Sequence, residues 1–401
     1  METRGKAKEG IHGFGLLLMA VGILNPSFLI LRPNRIVSGV SLNVFAAGED
    51  PFFFLTALFF IMGFFIVASV SNKHPWPELM GMILVSWIFL LFIGRTSFSL
   101  LADQPTSARI SLGMGFWLVL GGILILLRQK TSLLQERYHH SRLGIWIPSL
   151  VFAIFFIGLS FFFILGWLDS ISIMGELANQ GSRIWTEFIR HMQLTLHAVL
   201  TGILLSFLLG YGAYKKEWIE RPVNLVANFF QVIPTLSLLG LLMVPLSMLA
   251  VAFPILKALG INGIGYFPAY VVLTTYTLLP LTNHILAGFR SISPLILEGA
   301  RGMGMTSPQI LYRIELPLAL PAIYTGIRTA LVQTVANTIL AGLVGGGGLG
   351  ALLFLGLAQS ALDLVVVASL LVVLVSVSLN LVMAGLEETA KSWQHKEDYN
   401  D

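Results

Sequence analysis

The residues with chemical capacity sit inside apolar runs, and most are neutral hydrogen-bonding groups. His197, Gln231, Thr235, Ser237, Arg328, Gln333 and Asn337 all fall in stretches long enough to cross a bilayer. A polar side chain at that depth marks either an interhelical hydrogen bond or a path through the protein. For His197, in HMQLTLHAVLTGILLSFLLG, both readings stand. Gln231, Pro234, Thr235 and Ser237 cluster, and Pro234 removes one backbone bond, which predicts a kink. Freed backbone groups are tolerated at depth only where protein or water satisfies them, so this cluster reads as path-lining. Gln333 and Asn337 are spaced i, i+4 and share a helix face. Arg328 lies about eight residues inside its run, within snorkelling reach of the boundary.

This chemistry is binding and passage, not bond breaking. The chain has no cysteine, which excludes disulfides and thiolate metal sites. His139 and His140 are adjacent, so they do not share a helix face as metal ligands would. Gly345, Gly347 and Gly350 satisfy GxGxxG, but they follow an apolar span, so a glycine turn into a short re-entrant segment, Ala351–Ser360, is expected instead of a dinucleotide site. No GxxxxGK[ST] occurs, so the chain has no phosphate cradle and is not itself an ATPase. No catalytic residue, metal or cofactor is expected.

Between two apolar runs lies a charged, glycine-punctuated island, EGARGMGMTSPQILYRIELPLALPAI, from Glu298 to Ile323. Ser293 before Pro294 reads as an N-cap with Pro at the first helical position. Thr306-x-x-Gln309 has capping-box spacing, and Gly302 and Gly304 lie where a sharp turn needs backbone freedom. The pattern predicts a short helix, a turn and a second short helix, closed by Pro317 and Pro321. It would leave Ile310, Leu311, Tyr312 and Ile314 uncovered. A helix lying on lipid headgroups is one outcome. A knob docked in the groove of a soluble partner is the sharper one.

Here the chain resembles a known family. Glu298-Gly299-Ala300, three residues, Gly304, nine residues, then Ile314-x-Leu316-Pro317 is similar to the EAA signature of permease subunits of ATP-binding-cassette importers, except that Gly299 replaces the middle alanine. The resemblance implies a type I importer permease core in the C-terminal half. It also implies that Glu298, Ala300, Gly304, Thr306, Gln309, Ile314, Leu316 and Pro317 couple to a separate cytoplasmic ATPase. QVIPTLSLL, from Gln231, resembles the Q-x-I-P-[ST]-x-x-L element of glycine betaine and choline permeases, and the run from Arg328 into the glycine tail is similar to osmoprotectant and methionine permeases. In that family substrate passes between two permease copies and is delivered by a soluble binding protein.

Composition sets the frame for these elements. Of 401 residues, 56% are hydrophobic and 11% charged, against about 25% charge in a soluble domain. The expected fold class is an all-α polytopic membrane protein of about ten spans. Those spans are Ile11–Leu31, Pro51–Val70, Leu79–Gly94, Ile110–Leu127, Ile145–Trp167, Met192–Tyr214, Val223–Leu246, Tyr266–Phe289, Leu320–Val344 and Leu364–Leu386. With a cytoplasmic amino terminus, roughly sixteen lysines and arginines fall inside against seven outside, which places both termini and the island on the cytoplasmic side. The net charge of +4 then reflects topology, not nucleic acid. No cleavable signal peptide is evident.

Four segments follow: an extra membrane bundle at 1–168, an extracytoplasmic connecting segment at 169–191, a permease core at 192–388 with its coupling loop at 291–318, and a cytoplasmic tail at 389–401. The expected function is the permease subunit of an ATP-driven osmoprotectant importer in a prokaryotic inner membrane. Its partners would be ATPase subunits, a binding protein, a second permease copy or paralogue, and lipid. Two alternatives remain: an amino-acid or methionine importer, and an ion-coupled secondary transporter. The last would want buried carboxylates, and no expected span in the second half carries one in its interior.

Overall fold

The computed structural model describes residues 2–34, 37–45, 63, 75–138 and 142–397. The expected span Pro51–Val70 and the pair His139–His140 lie outside the described residues, apart from Gly63. Two units emerge from the internal contacts: Met1–Gln180 with Gln359–Asp363, and Gly181–Ala358 with Leu364–Asp401.

The first unit holds helices α1 (Glu2–Leu24), α2 (Pro75–Leu101), α3 (Met114–Arg137) and α4 (Arg142–Ile164). α1 and α3 meet along glycines. A Cβ on Gly22 would stand 2.7 Å from the Gly115 carbonyl, and one on Gly122 would stand 2.6 Å from that of Gly15. Small residues allow this backbone-to-backbone approach, which gives apolar helices dispersion contact where lipid offers no hydrophobic drive. α2 and α3 share a buried ion pair, Lys130 Nζ donating to Glu78, with both side chains almost fully enclosed.

The unit also carries a three-stranded antiparallel sheet, absent from the all-α expectation: β1 (Leu29–Arg32) between β2 (Val40–Leu42) and β3 (Arg109–Leu112). The first and fourth expected spans overlap β1 and β3, and β2 falls between expected spans. α1 ends at Leu24 because Pro26 disfavours helix at Asn25, and α3 begins only after Gly113. Leu31 pairs with Val40 on one side and Ile110 on the other.

The second unit is organised on α5 (Ser172–Lys215), 44 residues long, whose first turns belong by contact to the first unit. The segment expected as an outside loop at 169–191 is therefore helical from Ser172. Its polar residues Glu176, Arg183, Glu187 and Arg190 recur at helical intervals, which the sequence reading took for loop polarity. The expected seventh span is two helices, α6 (Glu217–Val232) and α7 (Thr235–Ala252), followed by short α8 (Pro254–Ala258). Ile233 and Pro234 are extended between them, with ψ of 124° and 137°, so the chain breaks where a kink was expected. Proline pushes its predecessor out of the helical region.

α9 (Tyr266–Arg290) is the central helix of this unit. Gly202 and Gly210 of α5 lie against its Thr277 and Ile285. The next elements are α10 (Pro294–Gly302), α11 (Ser307–Ile310), a π turn (Leu311–Glu315) and α12 (Leu316–Asn337). After a 3-10 segment (Thr338–Val344) come α13 (Leu349–Ala358) and α14 (Leu362–Glu397). α9 and α12 pack through Gly288 and Gly326, and buried Thr277 and Thr334 hydroxyls meet at 2.9 Å.

Seven described helices are long and apolar enough to cross a membrane by length and composition, three fewer than expected. The difference lies in the span outside the described residues, in α1, whose apolar part is only Gly10–Leu24, and in Tyr- and Thr-rich α9.

Candidate functional site

The island at 291–318 is a helical hairpin with apolar side chains exposed along both legs and at its turn. α10 starts at Pro294 with Ser293 at the N-cap position, where its side chain makes no cap hydrogen bond, and it ends in a Schellman turn. The Met305 N–H donates to the Ala300 carbonyl at 3.2 Å and the Gly304 N–H to that of Arg301 at 2.9 Å. This geometry requires the left-handed backbone of Gly304, at φ +79°. The Thr306 N–H then donates to Gln309 Oε1 at 2.8 Å, closing the cap of α11.

The second leg departs from expectation. Pro317 and Pro321 do not close it, because α11, the π turn and α12 run on from Ser307 to Asn337. Pro317 cannot donate to a carbonyl in the preceding turn and its ring crowds that turn. The wider π turn accommodates both defects, and the Leu316 N–H reaches the Leu311 carbonyl.

Of the four residues expected to be uncovered, Tyr312 alone is exposed. Ile310 is buried and Leu311 and Ile314 are half-buried, while Leu295, Met303 and Tyr312 are 77%, 77% and 69% exposed. Glu298, Thr306 and Gln309 are exposed as well, and Ala300 is buried beneath them. Leu316 and Pro317, half-buried, begin α12. The hairpin thus exposes Leu295, Ile296, Met303 and Tyr312 among polar side chains, with Met303 at the turn itself.

Beneath the tip, Phe289, Ile292, Ala319 and Ile323 form a buried cluster, against which Tyr211, Tyr214, Leu297, Leu311 and Leu316 pack. Glu315, at the end of the π turn, is buried. Its Oε1 accepts from Lys215 Nζ at 2.7 Å and from the Tyr214 hydroxyl at 3.3 Å. Arg290 donates to Glu220 at 2.5 Å.

The expected path residues do not converge on one point. At the α6–α7 break Pro234 and Ser237 are exposed and Thr235 is half-buried. Gln231 belongs to α6, but its side chain is outside the described residues. The carbonyl freed at Ile233 accepts from the Tyr276 hydroxyl, so protein satisfies this break. On α12, Gln333 is exposed beside Thr329, and Asn337 is half-buried at the start of the 3-10 segment. The opposite face, with Gly326, Ala330, Thr334 and Thr338, is buried.

Arg328 does not depend on snorkelling. Its Nε donates to Asn380 Oδ1 at 2.9 Å and its Nη1 to Glu387 Oε2 at 3.2 Å, both on α14. His197 Nδ1 meets the Tyr266 hydroxyl at 2.6 Å, the interhelical alternative of its two readings. Among the described residues no group of His, Asp and Glu converges as metal ligands would.

Sequence reasoning missed Glu315 and Glu387, because it drew the ninth span from Leu320 and ended the tenth at Leu386. Both carboxylates are buried and each faces a cation. The available signal was Arg328 itself, since a cation that deep needs an acid at a matching level in another helix.

Seven described helices long and apolar enough to cross a membrane, with an exposed hairpin between two of the longer helices, are the marks of a multi-pass membrane protein, and the comparisons with known proteins give its class. Residues 202–391 match the family described as binding-protein-dependent transport system inner membrane component. Residues 9–174 match the N-terminal domain described for the ABC transporter permease YehY. The osmoprotectant import permease protein OsmW of Salmonella typhimurium is 32% identical over 220 residues, which is 55% of this chain and 96% of that protein. The choline transport system permease protein OpuBB of Bacillus subtilis is 29% identical over 215 residues, covering 54% and 92%. A solved structure of the MetNI methionine ABC transporter, facing inward, covers 52% of this chain and 95% of its own at 22% identity and a TM-score of 0.43, too distant to bear on substrate.

The chain belongs to the binding-protein-dependent transport system inner membrane component family. It is an ABC importer permease subunit of the inner membrane, not an enzyme, and ATP hydrolysis belongs to a partner ATPase. Membership removes the ion-coupled alternative, and the buried carboxylates read as ion-paired structural groups.

Proposed function

We propose that this permease passes small osmoprotectants, of the glycine betaine, choline or related quaternary-ammonium class, into the cytoplasm. The observation that carries the reading is the 32% identity to an osmoprotectant import permease over almost all of that protein's length. The chemistry of the expected path residues is compatible. Ser237, Gln333 and Asn337 are neutral, so a zwitterion or a fixed cation meets hydrogen-bonding groups without a competing charge. Gln231, Pro234, Thr235 and Ser237, with Gln333 and Asn337, are the residues we assign to the path, and Arg328 borders it through its partners on α14.

Both termini and the 291–318 hairpin face the cytoplasm, in line with the lysine and arginine bias. The hairpin, through Leu295, Met303 and Tyr312 with Glu298, Gly304, Thr306 and Gln309, docks in a groove of the ATPase. Two permeases, copies or paralogues, form the path between their cores at 192–388. Closure of the ATPase pair on ATP brings the two 294–317 loops together and opens the path outward, where a binding protein delivers substrate. The bundle at 1–168 is an addition to this core, joined to it through 169–191.

The test is transport in proteoliposomes containing the permease, its ATPase and a betaine-loaded binding protein. Betaine-stimulated hydrolysis that collapses with Glu298→Ala plus Gly304→Trp supports both coupling and substrate. Stimulation by methionine or another amino acid overturns the substrate class, and an ATPase that never associates overturns the docking assignment.

A further inference from the structure

We infer that the corner where α5 meets α6 clamps both legs of the hairpin to the membrane helices, with Lys215 and Glu315 as the positioning pair that makes the hairpin a rigid lever. The inference rests on the coupling role proposed above.

On the first leg Arg290, the last residue of α9, is bridged to Glu220 of α6 at 2.5 Å. On the second leg Glu315, the last residue of the π turn, is bridged to Lys215, the last residue of α5, at 2.7 Å. Between the bridges Tyr211 and Tyr214 lie against Phe289, with ring centroids 5.2 Å and 5.3 Å away. The Lys215 ammonium also sits 4.8 Å above the Tyr214 ring. One corner of six residues, Lys215 to Glu220, therefore holds the chain both as it enters and as it leaves the hairpin.

The two bridges are not equivalent. Arg290 and Glu220 are 51% and 21% exposed, so solvent screens them and their pairing is a weak restraint. In the other pair Lys215 is 40% exposed, but the Glu315 side chain is 2% exposed, and its Oε2 has no partner among the described residues. A carboxylate so enclosed and half-satisfied cannot let go of Lys215 without remaining buried with no cation and only the Tyr214 hydroxyl donating to it. The pair therefore has one stable arrangement. It also stands where the second leg would otherwise yield, because the π turn is the local departure from regular helix between the tip and α12. With the clamp closed, displacement of the tip must carry α5 and α12 with it. With the clamp open, the tip swings at the π turn and ATP is spent without moving the helices.

The readout is ATP hydrolysed per osmolyte transported in proteoliposomes, with ATPase co-purification as a separate measure of docking. Lys215→Met and Glu315→Gln should bind the ATPase as the parent does, yet raise the ratio by roughly two- to thirtyfold, the range for residues that carry coupling without touching ligand. The chain has no cysteine, so Lys215→Cys with Glu315→Cys is a clean pair. Unbridged it should uncouple, and a short bis-maleimide bridge, installed before solubilisation, should restore the parental ratio. A merely structural role would not be rescued this way. An unchanged ratio in the variants, or a bridge that fails to restore it, overturns the clamp while leaving docking intact. An ATPase that does not bind the parent chain overturns the docking reading, and the clamp with it.

Discussion

Replacing Gly304 by alanine and by tryptophan separates backbone strain from bulk at the hairpin tip. An L residue at φ +79° costs about 1–2 kcal/mol, whatever its size. Nothing lies within 4 Å of where a Cβ would stand, so the side chain adds no clash in the permease alone. The two variants should therefore melt within about 0.5 kcal/mol of each other. The free hairpin can relieve the strain by opening its Schellman turn, and the ATPase must then restore that turn on binding. Restoring it weakens association by roughly five- to thirtyfold for alanine, the equivalent of 1–2 kcal/mol. Tryptophan also crowds the docking groove, for about 1–3 kcal/mol more. The assay titrates labelled ATPase onto each permease in nanodiscs, with thermal melts in parallel. Equal affinities for the two variants would refute the reasoning, because the tip would then face open space in the complex. A tryptophan variant that melts far below the alanine one would refute it differently, by revealing a contact within the permease.

Four further outcomes follow from the packing. Glu78→Ala should leave Lys130 buried without its carboxylate and lower stability by about 3–5 kcal/mol, whereas Glu78→Leu with Lys130→Leu should come close to the parent; melts of the purified protein at one scan rate compare them. Met303→Asp should leave the melt unchanged, since the side chain is exposed, and abolish ATPase co-purification. Tyr276→Phe should strip the Ile233 carbonyl of its donor, for about 1–3 kcal/mol, read as a lower melt. Gly350→Ala should reduce folded yield severely, because its Cβ would stand 1.8 Å from the Ile339 carbonyl oxygen; normal yield would show that α13 can move away from the 3-10 segment.

Local signals carried well from sequence to structure, and long-range ones did not. Ser293–Pro294, Gly304 and Thr306–Gln309 act over one helical turn, and each marks the boundary its type implies, although the Ser293 side chain makes no cap hydrogen bond. The long apolar runs were legible for the same reason, since a spanning helix satisfies its own backbone. The sheet was hidden because β1 pairs with β3 about eighty residues away and its strands are short apolar pieces beside apolar helices. The helical start of α5 was misread because polar residues on one face look like a loop when the period is not counted. Glu315 was invisible for a different reason. Its burial depends on Lys215, a hundred residues earlier, and nothing local distinguishes it from exposed Arg313.

The π turn at Leu311–Glu315 also absorbs one residue of chain length. It closes a single turn with one residue more than an α turn needs, so the helix faces before and after it stay nearly in phase. Losing one residue between Leu311 and Glu315 would leave an ordinary α turn, with Thr334 still facing Thr277 and Pro317 without the wider turn that accommodates its ring. Length and sequence are therefore linked in this segment: relatives one residue shorter from the tip to Asn337 should lack the proline, and those of equal length are free to keep it.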